Sequence, residues 1–237
     1  MSGQLRRANG ELPVPACAAP TGPACAAPSG PGFLIAWPIA SRIASWIAWL
    51  SRRPYGRANI ANAGIIMSHD WSADVFAAMK ARDIATVCTI PDGGLTPLLQ
   101  TCERDPDVRV VTLTTEEEGI GITTGLWLGG SRAMIAMQSS GVGNCVNALG
   151  LPHIMHAPCL MLITMRGQWG EFNPWQVLMG QGTEPVLRQM GVKCFAVDKA
   201  DEVGETFGAA ADLAFNGGFS CAVMVSQRVI GAKGFGR

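Results

Sequence analysis

Three consecutive glutamates, Glu116-Glu117-Glu118, stand where a β-branched run gives way to a stretch rich in glycine and threonine. A carboxylate in the first turn of a helix gains from the positive end of the helix dipole, and Glu118, three residues after Thr115, has capping-box spacing. That accounts for Glu118 and leaves Glu116 and Glu117 as candidates for proton chemistry. A second constellation is Gln138-Ser139-Ser140-Gly141-Val142-Gly143-Asn144, a strand-to-helix turn with two glycines. It is not the G-x-G-x-x-G fingerprint, and no Gly-Lys-Ser/Thr follows to make a phosphate loop. An ordinary tight turn is the competing reading. A third turn, Ile90-Pro91-Asp92-Gly93-Gly94, carries one carboxylate. The fourth segment, MRGQWGEFNPWQ from Met165 to Gln176, places Arg166, Glu171, Gln176 and two tryptophans in a loop. Surface loops are usually small and polar, so this one is read as covering or lining something, with an Arg166–Glu171 salt bridge as the structural alternative.

Chemistry at these positions needs elements to hold them. Apolar spacing predicts helices over 70–82, 95–104, 116–130, 144–151, 184–190 and 201–214, with a polar loop over 166–182. Short β-branched or apolar runs predict strands at 85–90, 108–114, 133–137, 158–165, 194–197 and 221–226. Near-continuous apolar strands alternating with helices indicate a parallel sheet covered on both faces. The expected fold is therefore a three-layer α/β/α domain around a six-stranded, mainly parallel sheet. Such sheets bind ligands at the carboxyl ends of their strands, which is where all four segments fall. Gly119, Gly121 and Gly125 each lower helix propensity by about 1 kcal/mol relative to alanine, a cost that close approach by a ligand or another subunit would justify.

Composition narrows the function classes. The 237 residues hold 18 Lys+Arg against 18 Asp+Glu, which leaves no electrostatic footprint for nucleic acid. With 48% hydrophobic and only 15% charged residues, the chain has ample apolar surface for a folded core. The eight cysteines form no C-x-x-C pair and are read as reduced thiols of a cytoplasmic protein. No Cys or carboxylate stands at ligand spacing to His69, His153 or His156, so no metal site is expected. Residues 1–66 have another composition: the octapeptides PACAAPTG and PACAAPSG repeat at 15–22 and 23–30, and an apolar run at 33–50 is interrupted by Pro38 and Arg42. That run can be read as an interfacial helix, an anchor or part of a leader; we adopt the leader reading and expect the fold to occupy 67–237.

In this order the four segments resemble the pyrimidine-binding domain of thiamine-diphosphate-dependent decarboxylases, specifically the sulfopyruvate decarboxylase alpha-subunit and phosphonopyruvate decarboxylase family. IPDGG at 90–94, TEEEGIGITTG at 115–125, MQSSGVGN at 137–144 and MRGQWGEFNPWQ at 165–176 carry the resemblance, which runs from about Met67 to Ala232. The resemblance implies that one glutamate hydrogen-bonds N1′ of the cofactor's aminopyrimidine and favours its imino tautomer, which prepares proton removal from the thiazolium. Counting nine positions back from Gly125 selects Glu116; using Gly119 instead selects Glu117. It also implies that Pro91, Ser139, Ser140, Gly141, Gly143 and Asn144 lie against thiamine diphosphate, and that Asp92, Arg166 and Gln176 face a small anionic 2-oxo acid. The family's G-D-G motif with a later Asn-Asn, which ligates the Mg²⁺ of the diphosphate, does not occur in this sequence. A beta subunit carrying that half-site, in a hetero-oligomer, is thus implied, as is decarboxylation of 3-sulfopyruvate to sulfoacetaldehyde. Phosphonopyruvate or another 3-substituted pyruvate is the alternative substrate, and a non-catalytic domain of the same fold is the alternative to an enzyme.

Overall fold

The computed structural model describes residues 69–231; the expected leader at 1–66 and its apolar run at 33–50 lie outside them. The elements in chain order are α1 (Trp71–Lys80), β1 (Ile84–Thr89), α2 (Thr96–Arg104), β2 (Arg109–Thr112), α3 (Glu116–Leu128), β3 (Arg132–Gln138), α4 (Val142–Cys145), α5 (Gly150–Ile154), β4 (Cys159–Thr164), α6 (Trp175–Gln189), β5 (Lys193–Val197), α7 (Val203–Gly217), β6 (Ser220–Val225) and α8 (Gln227–Ile230). All six strands pair in parallel, in the order β2-β1-β3-β4-β6-β5. The three-layer α/β/α architecture expected from the sequence is the one observed.

Side-chain alternation along the strands divides the core in two. Met134 and Ala136 of β3 and Leu160 and Leu162 of β4 join Val75, Met79, Leu98 and Phe207 on the α1, α2 and α7 side. Their neighbours Ile135, Met137, Met161 and Ile163 join Ile120, Val142 and Leu187 on the α3, α4 and α6 side. Burial on both faces is why these strands read as unbroken apolar runs. Asp70 opens α1 by accepting hydrogen bonds from the Ser72 and Ala73 amides, and Gly218 closes α7 in the left-handed conformation, φ 75°.

Four expectations are corrected. The loop read over 166–182 ends at Pro174, because α6 starts at Trp175 and not at Glu184. Gly180, within the expected loop, lies against the Arg166 carbonyl, where any Cβ would collide, so its glycine serves packing inside the helix. The glycine turn after β3 is helical from its start: Ser139–Gly141 form a 3-10 turn that runs straight into α4. The helix expected at 144–151 is two short helices, α4 and α5, and α8 was not foreseen. Thr115 occupies the N-cap of α3 without a side-chain cap bond. Instead Glu118 reaches back to Thr114, accepting from its amide at 2.9 Å and its hydroxyl at 2.6 Å.

Strand order creates the crevice. From β1 the chain moves outward to β2, then crosses back over β1 to β3 and continues to β4. Connections leaving β1 and β3 therefore diverge, and ligands of open α/β sheets bind at such switch points.

Candidate active site

Glu116 is the first residue of α3, where the helix dipole favours a carboxylate. It is 8% exposed, whereas Glu117, the other glutamate singled out by the sequence, faces solvent. The carboxylate of Glu116 is held from two sides by the turn after β3. Asn144 donates from Nδ2 to Oε2 at 2.7 Å. On the other side, a Cβ at Gly141 would fall 2.5 Å from Glu116 Cδ, so this turn can approach the carboxylate only because residue 141 has no side chain. Glu118 is held below the usual carboxylate range by its two hydrogen bonds from Thr114, a local capping role.

Asp92, in the loop after β1, joins three neighbouring strand ends. Its Oδ1 accepts from Gln138 Nε2 at 2.9 Å, and its Oδ2 accepts from the Gly94 amide at 3.0 Å and from Thr164 Oγ1 at 3.2 Å. Gln138 in turn accepts from Ser140 Oγ at 2.7 Å. Sequence reasoning includes Gln138 in the glycine-turn constellation without giving it a role and passes over Thr164; the one available signal is that each is the last residue of a strand. Ser139 is fully buried and used internally, its hydroxyl accepting from the Arg166 amide at 3.1 Å and its carbonyl from Thr183 Oγ1 at 3.3 Å. Pro91 and Gly143 are exposed on the rim, and Met179 of α6 lies 3.6 Å from where a Gly143 Cβ would be.

Arg166 is 5% exposed, and its guanidinium is given to Glu171: Nε and Nη2 each donate at 2.8 Å. The salt bridge considered from the sequence is present. Glu171 also accepts from the Gly167 and Asn173 amides and from Gln227 Nε2. Burial opposes ionisation of Glu171, but the bonds from Arg166, Asn173 and Gly167 outweigh it and hold the carboxyl down at about 2. Gln227, fully buried on α8, accepts from the amides of Gln168 and Trp169 at 3.0 Å each. The loop is thus stapled from inside while its aromatic residues face outward: Trp169 and Phe172 are exposed, and Trp175 and Leu178, which share a face of α6, are 83% and 81% exposed. Gln176 Oε1 is buried without a hydrogen-bond partner.

A cleft of about 510 Å³ opens between Trp169, Gln181, Glu184, Asp198 and Arg228. It lies on the flank of α6 turned away from the glycine turn, and none of Glu116, Asp92 or Ser139–Asn144 lines it. The buried Glu116 is thus not part of that cleft. Beside it, burial, with the charges of Glu116 and Glu117, pushes the Cys145 thiol up to about 12, which disfavours a thiolate at neutral pH. All six cysteines among the described residues are free, and among those residues no cluster of three or more His, Cys, Asp or Glu could hold a metal ion. No helix among them is long and apolar enough to cross a membrane. What the site can do is present one buried, doubly supported carboxylate to a nitrogen or hydroxyl placed at the switch point.

No family model matches the chain. It is similar to the sulfopyruvate decarboxylase subunit alpha of Methanothermobacter thermautotrophicus, at 34% identity over 160 residues, covering 67% of this chain and 97% of that protein. The corresponding subunit of Methanococcus maripaludis is 32% identical over 155 residues, or 65% of this chain and 93% of the relative. The phosphonopyruvate decarboxylase of Streptomyces viridochromogenes is 34% identical over 141 residues, 58% of this chain but only 36% of that longer protein. Among solved structures, the fold resembles the 2-oxoglutarate:ferredoxin oxidoreductase from Magnetococcus marinus, with a TM-score of 0.54 at 16% identity, over 68% of this chain and 29% of that one. That last likeness is one of fold.

Proposed function

The chain belongs to the family of sulfopyruvate decarboxylase alpha subunits, and on that premise we propose that it is the pyrimidine-side subunit of a thiamine-diphosphate-dependent decarboxylase that converts 3-sulfopyruvate to sulfoacetaldehyde and carbon dioxide. The observation that carries the reading is Glu116, a buried carboxylate supported by Asn144 and fitted against Gly141 at the switch point of the sheet. That arrangement fits an aminopyrimidine ring: an acid fixed in place and a glycine turn whose missing side chains leave room. When bound, thiamine diphosphate supplies the electron sink for the pair of electrons left as carbon dioxide departs.

The chain's own residues have the following roles in this reading. Glu116 holds a proton at N1′ of the pyrimidine, and the turn Ser139–Gly143 with Pro91 forms the wall beside the ring. The hydroxyls of Ser139 and Ser140 are committed to Arg166 and Gln138, so these serines contribute shape and backbone. Asp92, braced by Gln138 and Thr164, faces the 2-oxo acid. Gln176 brings the buried Oε1 that lacks a partner, an omission that costs about 1–3 kcal/mol and that a donor on a bound molecule would offset. Arg166 acts as the loop's clamp, because Glu171 occupies its fork.

A beta subunit with the G-D-G and Asn-Asn half-site holds the diphosphate and its Mg²⁺. Supporting this are the absence of both motifs from the sequence and the longer phosphonopyruvate decarboxylase, of which this chain matches 36%. The first turns of α6, whose Met179 and Thr183 meet the glycine turn, also carry Trp175 and Leu178, and the exposure of these two is what such a subunit would cover. A cytoplasmic location is part of this reading, supported by the six free cysteines among the described residues. The test is co-purification of the tagged chain from its native host, followed by carbon dioxide release from 3-sulfopyruvate and phosphonopyruvate side by side. Faster turnover of 3-sulfopyruvate by a two-subunit complex is expected; a lone chain that never binds thiamine diphosphate would refute the reading.

A further inference from the structure

Asn144 and Gly141 are three residues apart in one helical run, so they share a face, and that face meets Glu116. Asn144 lies 28 positions after Glu116 in sequence, yet its amide is 2.7 Å from Oε2. The amide donates through Nδ2 to this oxygen. Oε2 is thereby engaged, Gly141 closes the opposite side, and the carboxylate has one orientation in which both neighbours are satisfied. Rotating it would break the amide contact or drive it into the backbone of the turn.

We propose that Asn144 is a positioning residue that acts through Glu116 and does not bind the cofactor itself. The spacing Gly141-x-x-Asn144 is then a device for holding a glutamate from another element: the glycine lets the turn approach and the amide fixes the angle. This inference rests on the role given to Glu116 above.

The experiment uses the complete complex with thiamine diphosphate as the probe, and two readouts: exchange of the cofactor's C2 proton for deuterium without substrate, and cofactor affinity by titration. Asn144→Ala should slow exchange by about 10- to 100-fold, the range for losing a hydrogen bond to a charged group. Affinity should change by less than about three-fold, because no contact to the cofactor is removed. Asn144→Asp, which keeps the shape but offers an acceptor where the amide donates, should lose at least as much. The decisive comparison is a double-mutant cycle: in a Glu116→Gln background, Asn144→Ala should have no further effect on exchange. Multiplying losses in the double variant, or an affinity loss that tracks the exchange loss, would show direct contact with the cofactor and overturn the proposal. Undiminished exchange in both Asn144 variants would overturn it as well. If Glu116→Gln itself exchanges at the unsubstituted rate, the glutamate's role falls and this inference with it, an outcome distinct from the others.

Discussion

Replacing Gly141 with Ala adds one methyl group where the turn after β3 touches Glu116. The backbone there has φ −68° and ψ −22°, which suits alanine as well as glycine, and the lower freedom of the unfolded chain favours the variant by about 0.4–1 kcal/mol. The methyl carbon would lie 2.5 Å from Cγ and Cδ of Glu116. Carbon atoms in contact need about 3.5 Å, so the carboxylate must retreat by about 1 Å. Overpacking of this kind costs about 1–3 kcal/mol, and after the gain from the unfolded chain the melting temperature should fall by only a few degrees. Catalysis should suffer far more, because a misplacement of about 1 Å at a reacting group costs on the order of 100-fold. The assay is carbon dioxide release by the complex at saturating thiamine diphosphate, with thermal melts on the same preparation. Gly143→Ala is the control: its added Cβ would meet Met179 at 3.6 Å, an ordinary contact, so activity should stay within about three-fold. If Gly141→Ala retained turnover within about two-fold, the turn would not be what sets the position of Glu116, and the reasoning would be refuted.

Glu116→Gln should lower kcat by about 100-fold or more with the complex still assembled, while Glu117→Gln, altering a solvent-facing side chain, should leave it nearly unchanged; the reverse result would move the role to Glu117. Glu171→Gln leaves Arg166 buried beside a neutral amide and should destabilise the chain by about 3–5 kcal/mol, read by urea unfolding. Because the folded-state pKa of Glu171, about 2, lies below its ordinary 4.5, its stabilisation is present above that ordinary value and is lost as pH falls through the folded one. The melting-temperature gap between parent and variant should therefore be widest above about pH 5 and shrink toward pH 2, and a gap independent of pH would contradict the assignment. Trp175→Ala should weaken association with the beta subunit by about 2 kcal/mol, or about 30-fold in Kd, without lowering the melting temperature of the isolated chain. Unchanged affinity in a titration would remove Trp175 from that interface.

The amino-acid sequence by itself determined the parallel sheet. Residues 159–163, CLMLI, are buried on two faces at once and so had to be apolar throughout, a pattern visible without coordinates. It also brought the four polar segments to the strand ends, because turns after strands in such a sheet share one edge. Local signals failed where packing overrode them. Gly180 looks like a helix breaker, yet α6 runs through it, since the carbonyl of Arg166 requires a glycine there. Counting back from Gly125 already favoured Glu116 over Glu117; the tertiary structure adds that Glu116 is buried and Glu117 exposed, a difference set by which way the helix turns them. Only the tertiary structure joined Asp92 with Gln138 and Thr164, and Glu116 with Asn144, whose hydrogen bonds span 46, 72 and 28 positions. Periodicity reports which face of an element is buried; it carries no information about which distant side chain meets that face, and this is settled only when the sheet is assembled.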